Sequence, residues 1–320
     1  MKHRFLFIIT VFLALDISAQ ILDINQPLFS EVPFFNAEFI KANKIKSITG
    51  SISSKKVRDI IRSKGLDYRY EFNSKGQLQM QLSSHFTEGI KDSSTIAYEY
   101  DDDGKIILKR NSDGKGYYSY HYNYDSLNNI ISQTYYRDES KNESKNKFEL
   151  KKEYLIVSDS FSYQKTDPSQ TKKIFYNGYK KAYKEQTKYY DNMGYLVEEY
   201  TKFIIGNNKK KITYEYNEKG QIFKKHVYTN LAEGKKTTEE YSYDEIGNIL
   251  EIKIFDDEKY ITSKQFLYDA KTMLLSAQII QDIETQFLRI IKYNYTFFDN
   301  STAITQMKLP ADTSDTNGTK

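Results

Sequence analysis

The residues of this 320-residue chain that are equipped for chemistry are acids at turns, four histidines (three of them beyond the first nineteen residues) and an abundance of tyrosine. The strings "YDDDG" (100–104) and "FDDE" (255–258) offer carboxylates. Such groups bind Ca²⁺ through oxygen or, as a pair such as Asp102 with Asp257, hydrolyse a glycosidic bond. Asp101, however, starts a turn and Asp102 and Asp103 form its tip, where backbone geometry alone favours Asp. His85, His121 and His226 have no partner at metal-ligand spacing. No nucleophile elbow, glycine-rich phosphate loop or zinc signature is present. The residues therefore predict no catalytic, metal or cofactor site, and a non-enzymatic protein. The run Lys209, Lys210 and Lys211 reads as a solvated hairpin end. With 47 basic against 43 acidic residues, a formal charge of +4, no nucleic-acid partner is expected.

The tyrosines lead to the elements. There are 29 Tyr and 19 Phe but no Trp and no Cys, a composition that suits half-buried pleated surfaces. The string "YSYDEIGNIL" (241–250) has relatives in "YEFNSKGQL" (70–78), "YEYDDDGKI" (98–106), "YNYDSLNNI" (122–130), "YYDNMGYL" (189–196), "YEYNEKGQI" (214–222) and "FLYDAKTML" (266–274). Aligned on Gly76, Gly104, Asn128, Gly194, Gly220, Gly247 and Thr272, they are spaced by 28, 24, 66, 26, 27 and 25 residues. A unit of about 26 residues is two strands and two turns, and the long gap leaves space for degenerate units around 148–184. In each unit two aromatics share a strand face. Asp101, Asp125, Asp191 or Asp244 then opens a type I turn. Gly104, Asn128, Gly194, Gly220 or Gly247 closes it in the left-handed region. Thr272, being β-branched, predicts a different turn.

Pairing across the first turn sets Phe72 opposite Leu78, Tyr70 opposite Met80 and Tyr68 opposite Leu82. In the second unit it sets Tyr100 opposite Ile106 and Tyr98 opposite Leu108. Leu250, Ile252 and Phe223 would then lie on the other face, so the later sheet is expected to be covered on both sides. These units resemble the YD repeats of the RHS and teneurin-type proteins, across residues 68–274. That resemblance implies a continuous spiralling β-sheet and an exported, Bacteroidetes-like envelope protein. No aspartate-rich autoproteolytic core and no toxin domain accompany the repeats here.

The fold class expected is mainly β. Consecutive antiparallel hairpins would form an extended, twisted or curled sheet with a short N-terminal helix around Phe35, Phe39 and Ala42, which would cover its open first edge. Residues 1–19, with Lys2 and Arg4 before the apolar stretch Phe5 to Leu15, read as a signal peptide. Residues 20–67 then form a helical capping segment, 68–299 the hairpin domain and 300–320 a polar, disordered tail. Within 20–67, 55–65 is ambiguous between helix and strand, and 289–299 reads as a last strand.

Tyrosines in the repeat register are expected to be core. Those outside it, Tyr117, Tyr118, Tyr135 and Tyr136, are the candidate ligand-binding residues. The function expected is an exported scaffold of the periplasm, surface or medium that binds an envelope or extracellular protein or glycan. It is not an integral membrane protein once processed. Two alternatives stand beside it, a carbohydrate-active enzyme using the turn acids and an outer-membrane β-barrel of alternating strands.

Overall fold

The computed structural model describes residues 20–22, 35–113, 116–142, 148–206 and 208–298. The segments read as signal peptide and polar tail lie outside them. Eighteen strands follow one another as an antiparallel meander: β1 Ile45–Lys55, β2 Arg62–Phe72, β3 Leu78–Thr87, β4 Ile90–Tyr100, β5 Ile106–Asp113, β6 Gly116–Tyr124, β7 Ile130–Ser140, β8 Leu150–Asp167, β9 Gln170–Tyr176, β10 Ala182–Tyr190, β11 Leu196–Phe203, β12 Lys209–Tyr216, β13 Ile222–Tyr228, β14 Thr237–Tyr243, β15 Ile249–Asp256, β16 Lys259–Tyr268, β17 Leu275–Asp282 and β18 Leu288–Phe297. The expected open sheet is corrected here. β18 pairs with β1, from Phe297 beside Ile45 to Leu288 beside Lys55, so the sheet is a closed barrel. Residues 289–299 thus contain the closing strand, and 62–65 of the ambiguous stretch are strand.

The curvature that permits closure is built into each repeat turn. At the turn after β4, Gly104 N–H donates to the Asp101 carbonyl and Asp101 N–H to that of Lys105. The Asp101 carboxylate caps Lys105 N–H at 2.8 Å. Gly76, Gly104, Gly194, Gly220 and Gly247 all have positive φ, and Asn128 does the same work at φ 66. The turn near Thr272 is indeed different: it is one residue longer, and Met273 rather than Thr272 takes the positive φ. A further copy lies in the long gap, where Asn177 caps Tyr179 and Lys181 and Lys180 occupies the glycine position with φ 57.

Directly after the turn comes a β-bulge, and it alters the cross-strand pairing. Phe72 does face Leu78 and Tyr100 faces Ile106. One residue further the returning strand slips. Glu71, not Tyr70, faces Met80; Arg69, not Tyr68, faces Leu82; and Glu99, not Tyr98, faces Leu108. Two residues opposing one is what a bulge is, and it raises local twist. It also turns Ile107, Phe223 and Leu250 outward, where they are 38%, 44% and 41% exposed. The expected cover on both faces is therefore absent there, and Ile252 points to the opposite, buried face.

The bulge takes a carbonyl off the ladder, and a tyrosine supplies the missing donor. In seven places a tyrosine reaches the carbonyl of the aliphatic residue that opened the return strand before it. These bonds are Tyr100 to Leu78 at 2.7 Å, Tyr124 to Ile106 at 2.8 Å, Tyr163 to Ile130 at 3.0 Å and Tyr216 to Leu196 at 2.7 Å. Tyr243 to Ile222, Tyr268 to Ile249 and Tyr295 to Leu275 repeat it at 2.7, 2.9 and 2.7 Å. Burial raises the pKa of Tyr243 to about 12 and lifts Tyr100 and Tyr268 further, so these hydroxyls stay protonated donors.

The helix α1 (Ala37–Ala42), capped by Asn36, covers no sheet edge, because none is left open. It packs with Ile21, Leu22 and Phe35 against buried residues of β1, β2 and β14–β18, including Ile48, Tyr70, Ile252, Phe266, Leu275 and Ile291. One short segment shares a single buried cluster with seven consecutive strands, as it can only from the concave side, so this face is the lumen. Gly76 marks the fit: any Cβ there would collide with the Ala37 carbonyl of the helix.

Three substitutions test this construction. Tyr268→Phe leaves the Ile249 carbonyl buried without its donor and should lower unfolding stability by about 1–2 kcal/mol. Tyr179→Phe, at a turn position 86% exposed, should leave the urea midpoint unchanged. Gly76→Ala, strained at φ 81 and in collision with α1, should destabilise more than either.

Candidate functional site

Among the described residues, apolar packing fills the lumen on one side only. Besides the cluster around α1, a second apolar cluster centres on Tyr98, Ile106 and Tyr122 of β4–β6. Strands β8–β12 contribute no residue to either cluster among the described residues. This part of the wall is where the repeat loses its period. β8 is 18 residues long and changes partner midway: Ser160 pairs with Ser132 of β7 and with Tyr176 of β9. The chain beyond that point stands out past β7, and β9–β12 are built on the offset.

Alternation places Phe161 and Tyr163 of β8, Thr171, Lys173 and Phe175 of β9, and Lys184, Gln186 and Lys188 of β10 on the lumenal face. Tyr163 fixes which face this is, since it makes the same hydroxyl-to-carbonyl bond as the repeat tyrosines. Lys173 Nζ lies 3.9 Å from the centre of the Phe161 ring, 4.9 Å from Phe175 and 5.3 Å from Tyr163. Lys184 Nζ lies 3.7 Å from the same Phe175 ring. Two ammonium groups therefore share one aromatic ring. Among the described residues neither has a carboxylate within ion-pair distance. The nearby acids are otherwise engaged: Asp159 accepts the Tyr183 hydroxyl at 2.8 Å, and Glu199 accepts Tyr214 at 2.8 Å and Gln186 at 2.9 Å, with Lys188 at 3.9 Å. Burial, and then the charges of Lys184 and Lys188, hold Lys173 down at about 8. Burial also lowers Lys184, with Asp159 opposing and Lys210 adding to the shift.

The four tyrosines expected to bind ligand divide between the two faces. Tyr118 and Tyr135 face the lumen, their rings 5.8 Å apart, with Tyr120 stacked on Tyr135 at 5.0 Å. Tyr117 and Tyr136 face outward, Tyr117 on Phe148 at 4.7 Å and Tyr136 on His121 at 4.8 Å. They flank an outer network in which Arg110 Nε meets the fully buried carboxylate of Asp138 at 2.7 Å, and His121 meets Glu153 at 3.1 Å. The turn residues Asp101, Asp125, Asp191 and Asp244 cap backbone amides, as their positions in the repeat demand.

Asp102 and Asp257 do not converge. Asp102 lies in the turn after β4 and Asp257 in the turn after β15, at opposite ends of the barrel. The intervening strand length is roughly 25 Å for eight residues, so the two cannot act on one bond. Among the described residues no three His, Asp or Glu side chains are grouped so as to hold a metal ion. A cleft of about 700 Å³ lies between α1 and the turns after β2 and β4, lined by Lys41, Leu78, Tyr100, Asp103 and Lys105 among others.

The lysine–aromatic wall went unrecognised in the sequence because it falls between recognisable repeats. The signal was present in "FSYQK" and "KKIF", where aromatics and lysines alternate at the strand period.

No protein-family profile matches the chain, and no curated protein matches it. Among solved structures it is similar to a porin-like protein from Bacteroides uniformis ATCC 8492, at 14% identity and TM-score 0.37 over 79% of this chain and 97% of that one. It is also similar to a porin-like protein from Bacteroides vulgatus ATCC 8482, at 10% identity and TM-score 0.30 over 67% and 97%. A third similarity is to the Photorhabdus luminescens Tc holotoxin pore, at 10% identity and TM-score 0.21, over 68% of this chain and 16% of that one. Likeness this distant says nothing of function, and the resemblance to YD repeats rests on the turn motif alone.

The wall has a measurable electrostatic consequence. Lys173 has a folded pKa of about 8, below its ordinary 10.5, so the unfolded chain binds more protons between those values. The penalty is complete below about pH 8 and is relieved as pH rises, so stability should increase from about pH 7.5 to 9.5. In Lys173→Met that increase should shrink and the neutral-pH urea midpoint should rise.

Proposed function

We propose that this chain is a non-enzymatic, exported binding barrel of the bacterial envelope that holds a glycan in the unfilled half of its lumen. The observation that carries this is the asymmetry of filling. The segment containing α1 occupies the side of β14–β18, β1 and β2. The wall of β8–β12 presents half-buried aromatic, amide and hydroxyl groups to the lumen and joins neither apolar cluster among the described residues. Aromatic rings with convergent polar groups are the ordinary lining of a sugar site. Export follows from the reading of residues 1–19.

Closure of the sheet is what the outer-membrane alternative required. Its outward face, however, carries ion pairs along the strands: Lys91 with Asp67 at 2.6 Å, Lys211 with Glu198 at 2.6 Å, Lys224 with Glu240 at 2.7 Å, and Arg110 with Asp138. A lipid-facing band excludes such charges, at about 2–4 kcal/mol for a midplane Lys or Arg. An aqueous barrel fits this face better. A protein partner on the outward Tyr117 and Tyr136 is the second reading, since these two rings rim the Arg110 network.

Residues 20–320 should purify without detergent and bind a member of a soluble polysaccharide panel in calorimetry. Thr171→Trp, which fills the lumen beside Lys173, should abolish binding, whereas Ser242→Trp on the outer face should leave it intact. Dependence on detergent, or loss of binding only in Ser242→Trp, would overturn the proposal.

A further inference from the structure

Building on the lumenal reading, we infer that Lys173 and Lys184 form a receptor for the carboxylate or sulfate group of an acidic glycan. Three features of the wall converge on this. First, the two ammonium groups lie against one small aromatic surface, Phe161 and Phe175, and their like charges oppose each other. An anion placed between them would convert that repulsion into two charge-assisted hydrogen bonds. Aromatic faces alone do not neutralise two cations, though each attracts one.

Second, the acids of the neighbourhood are already committed. Asp159 is held by Tyr183, Glu199 by Tyr214, Gln186 and Lys188, and Glu239 by Lys225 at 3.2 Å and by Tyr241 at 2.5 Å. The lysines on the same face have no such partner at Lys173 and Lys184 among the described residues. Lys210, opposite Thr201 on the next pair of strands, extends the positive surface and itself lies near the Phe203 ring. The lumenal wall is thus cationic even though the whole chain is nearly balanced at +4.

Third, the rest of the wall suits a hydrated chain and not an acyl one. The lumenal residues flanking the two lysines are Thr171, Gln186, Lys188 and Thr201, all able to hydrogen-bond. They leave no continuous apolar strip for a lipid tail. The rings of Phe161, Tyr163 and Tyr183 supply the faces against which a sugar's C–H groups pack. Because burial and the neighbouring cations hold Lys173 near 8, binding an anion should draw a proton onto it.

The test compares oligogalacturonate, neutral maltotetraose and an oligoglutamate peptide by calorimetry at about pH 8 in buffers of different ionisation enthalpy. The inference expects oligogalacturonate to bind with net proton uptake and to weaken as salt is raised. Binding should fall at least tenfold in the Lys173→Gln, Lys184→Gln double variant, whose fold is checked by its urea midpoint. Maltotetraose binding as tightly, or an unchanged affinity in the double variant, would overturn the anion receptor while leaving the lumenal reading in place. Equal binding of oligoglutamate would overturn the glycan class. If no probe binds and Thr171→Trp binds the polysaccharide panel as wild type does, the inference and the lumenal reading both fall.

Discussion

The structure depends on a phenol hydroxyl donating to a main-chain carbonyl. Each repeat turn is followed by a bulge that removes one carbonyl from the sheet ladder, beneath an aromatic ring where water has poor access. Leaving such an acceptor unpaired costs about 1–3 kcal/mol. From Tyr100 to Tyr295 a tyrosine two residues into the shared face, one hairpin further on, delivers the missing donor. Seven bulged carbonyls are satisfied in this way, each bond tying a return strand to the strand that follows it. At the end of the meander β18 pairs with β1. Burial keeps these phenols protonated, so the construction is insensitive to pH across the neutral range.

A second set of side chains ties the turns together, and its chemistry is complementary by position. In two turns Asp opens and Asn closes, as Asp125 with Asn129 at 3.0 Å and Asp244 with Asn248 at 2.8 Å. In two others Asn opens and Gln closes, as Asn73 with Gln77 at 2.7 Å and Asn217 with Gln221 at 3.0 Å. The glutamines also donate onward to the carbonyls of Gly104 and Gly247 in the next turn. The rim is a chain of linked turns, while the wall below it remains free to differ. Between β7 and β13 the wall uses that freedom, with lysine and phenylalanine in place of the aliphatic core.

The turns could be read from sequence because a type I turn with a left-handed fourth position is a local demand, met by Asp or Asn and then Gly or Asn within four residues. Phe72 with Leu78 and Tyr100 with Ile106 were legible for the same reason. The slip that follows was not, because a bulge makes Met80 and Leu108 look like partners of Tyr70 and Tyr98 by simple counting. Closure was illegible too, since the contact of Ser47 with Thr296 at 2.7 Å spans 249 residues and leaves no local mark. The lysine pair Lys173 and Lys184 belongs to this second class. Each residue is ordinary in its own strand, and only the pairing of β9 with β10 sets them over one ring. The candidate tyrosines Tyr117, Tyr118, Tyr135 and Tyr136 were adjacent in sequence, and that adjacency is what sends them to opposite faces.

Joining the earliest strand to the latest also imposes an order of events. β1 leaves the ribosome first, yet its second neighbour is the last strand made. Until β18 arrives, a growing meander presents two unpaired edges, each a template for another chain. Such a sheet cannot finish during synthesis; it completes only when the whole chain is present in one compartment. A chain that must be threaded across a membrane before it folds loses nothing by this delay, because its two ends meet after threading is over. The ring thus sets its own order: closure waits for the last strand, and closure seals the edges that would otherwise invite aggregation.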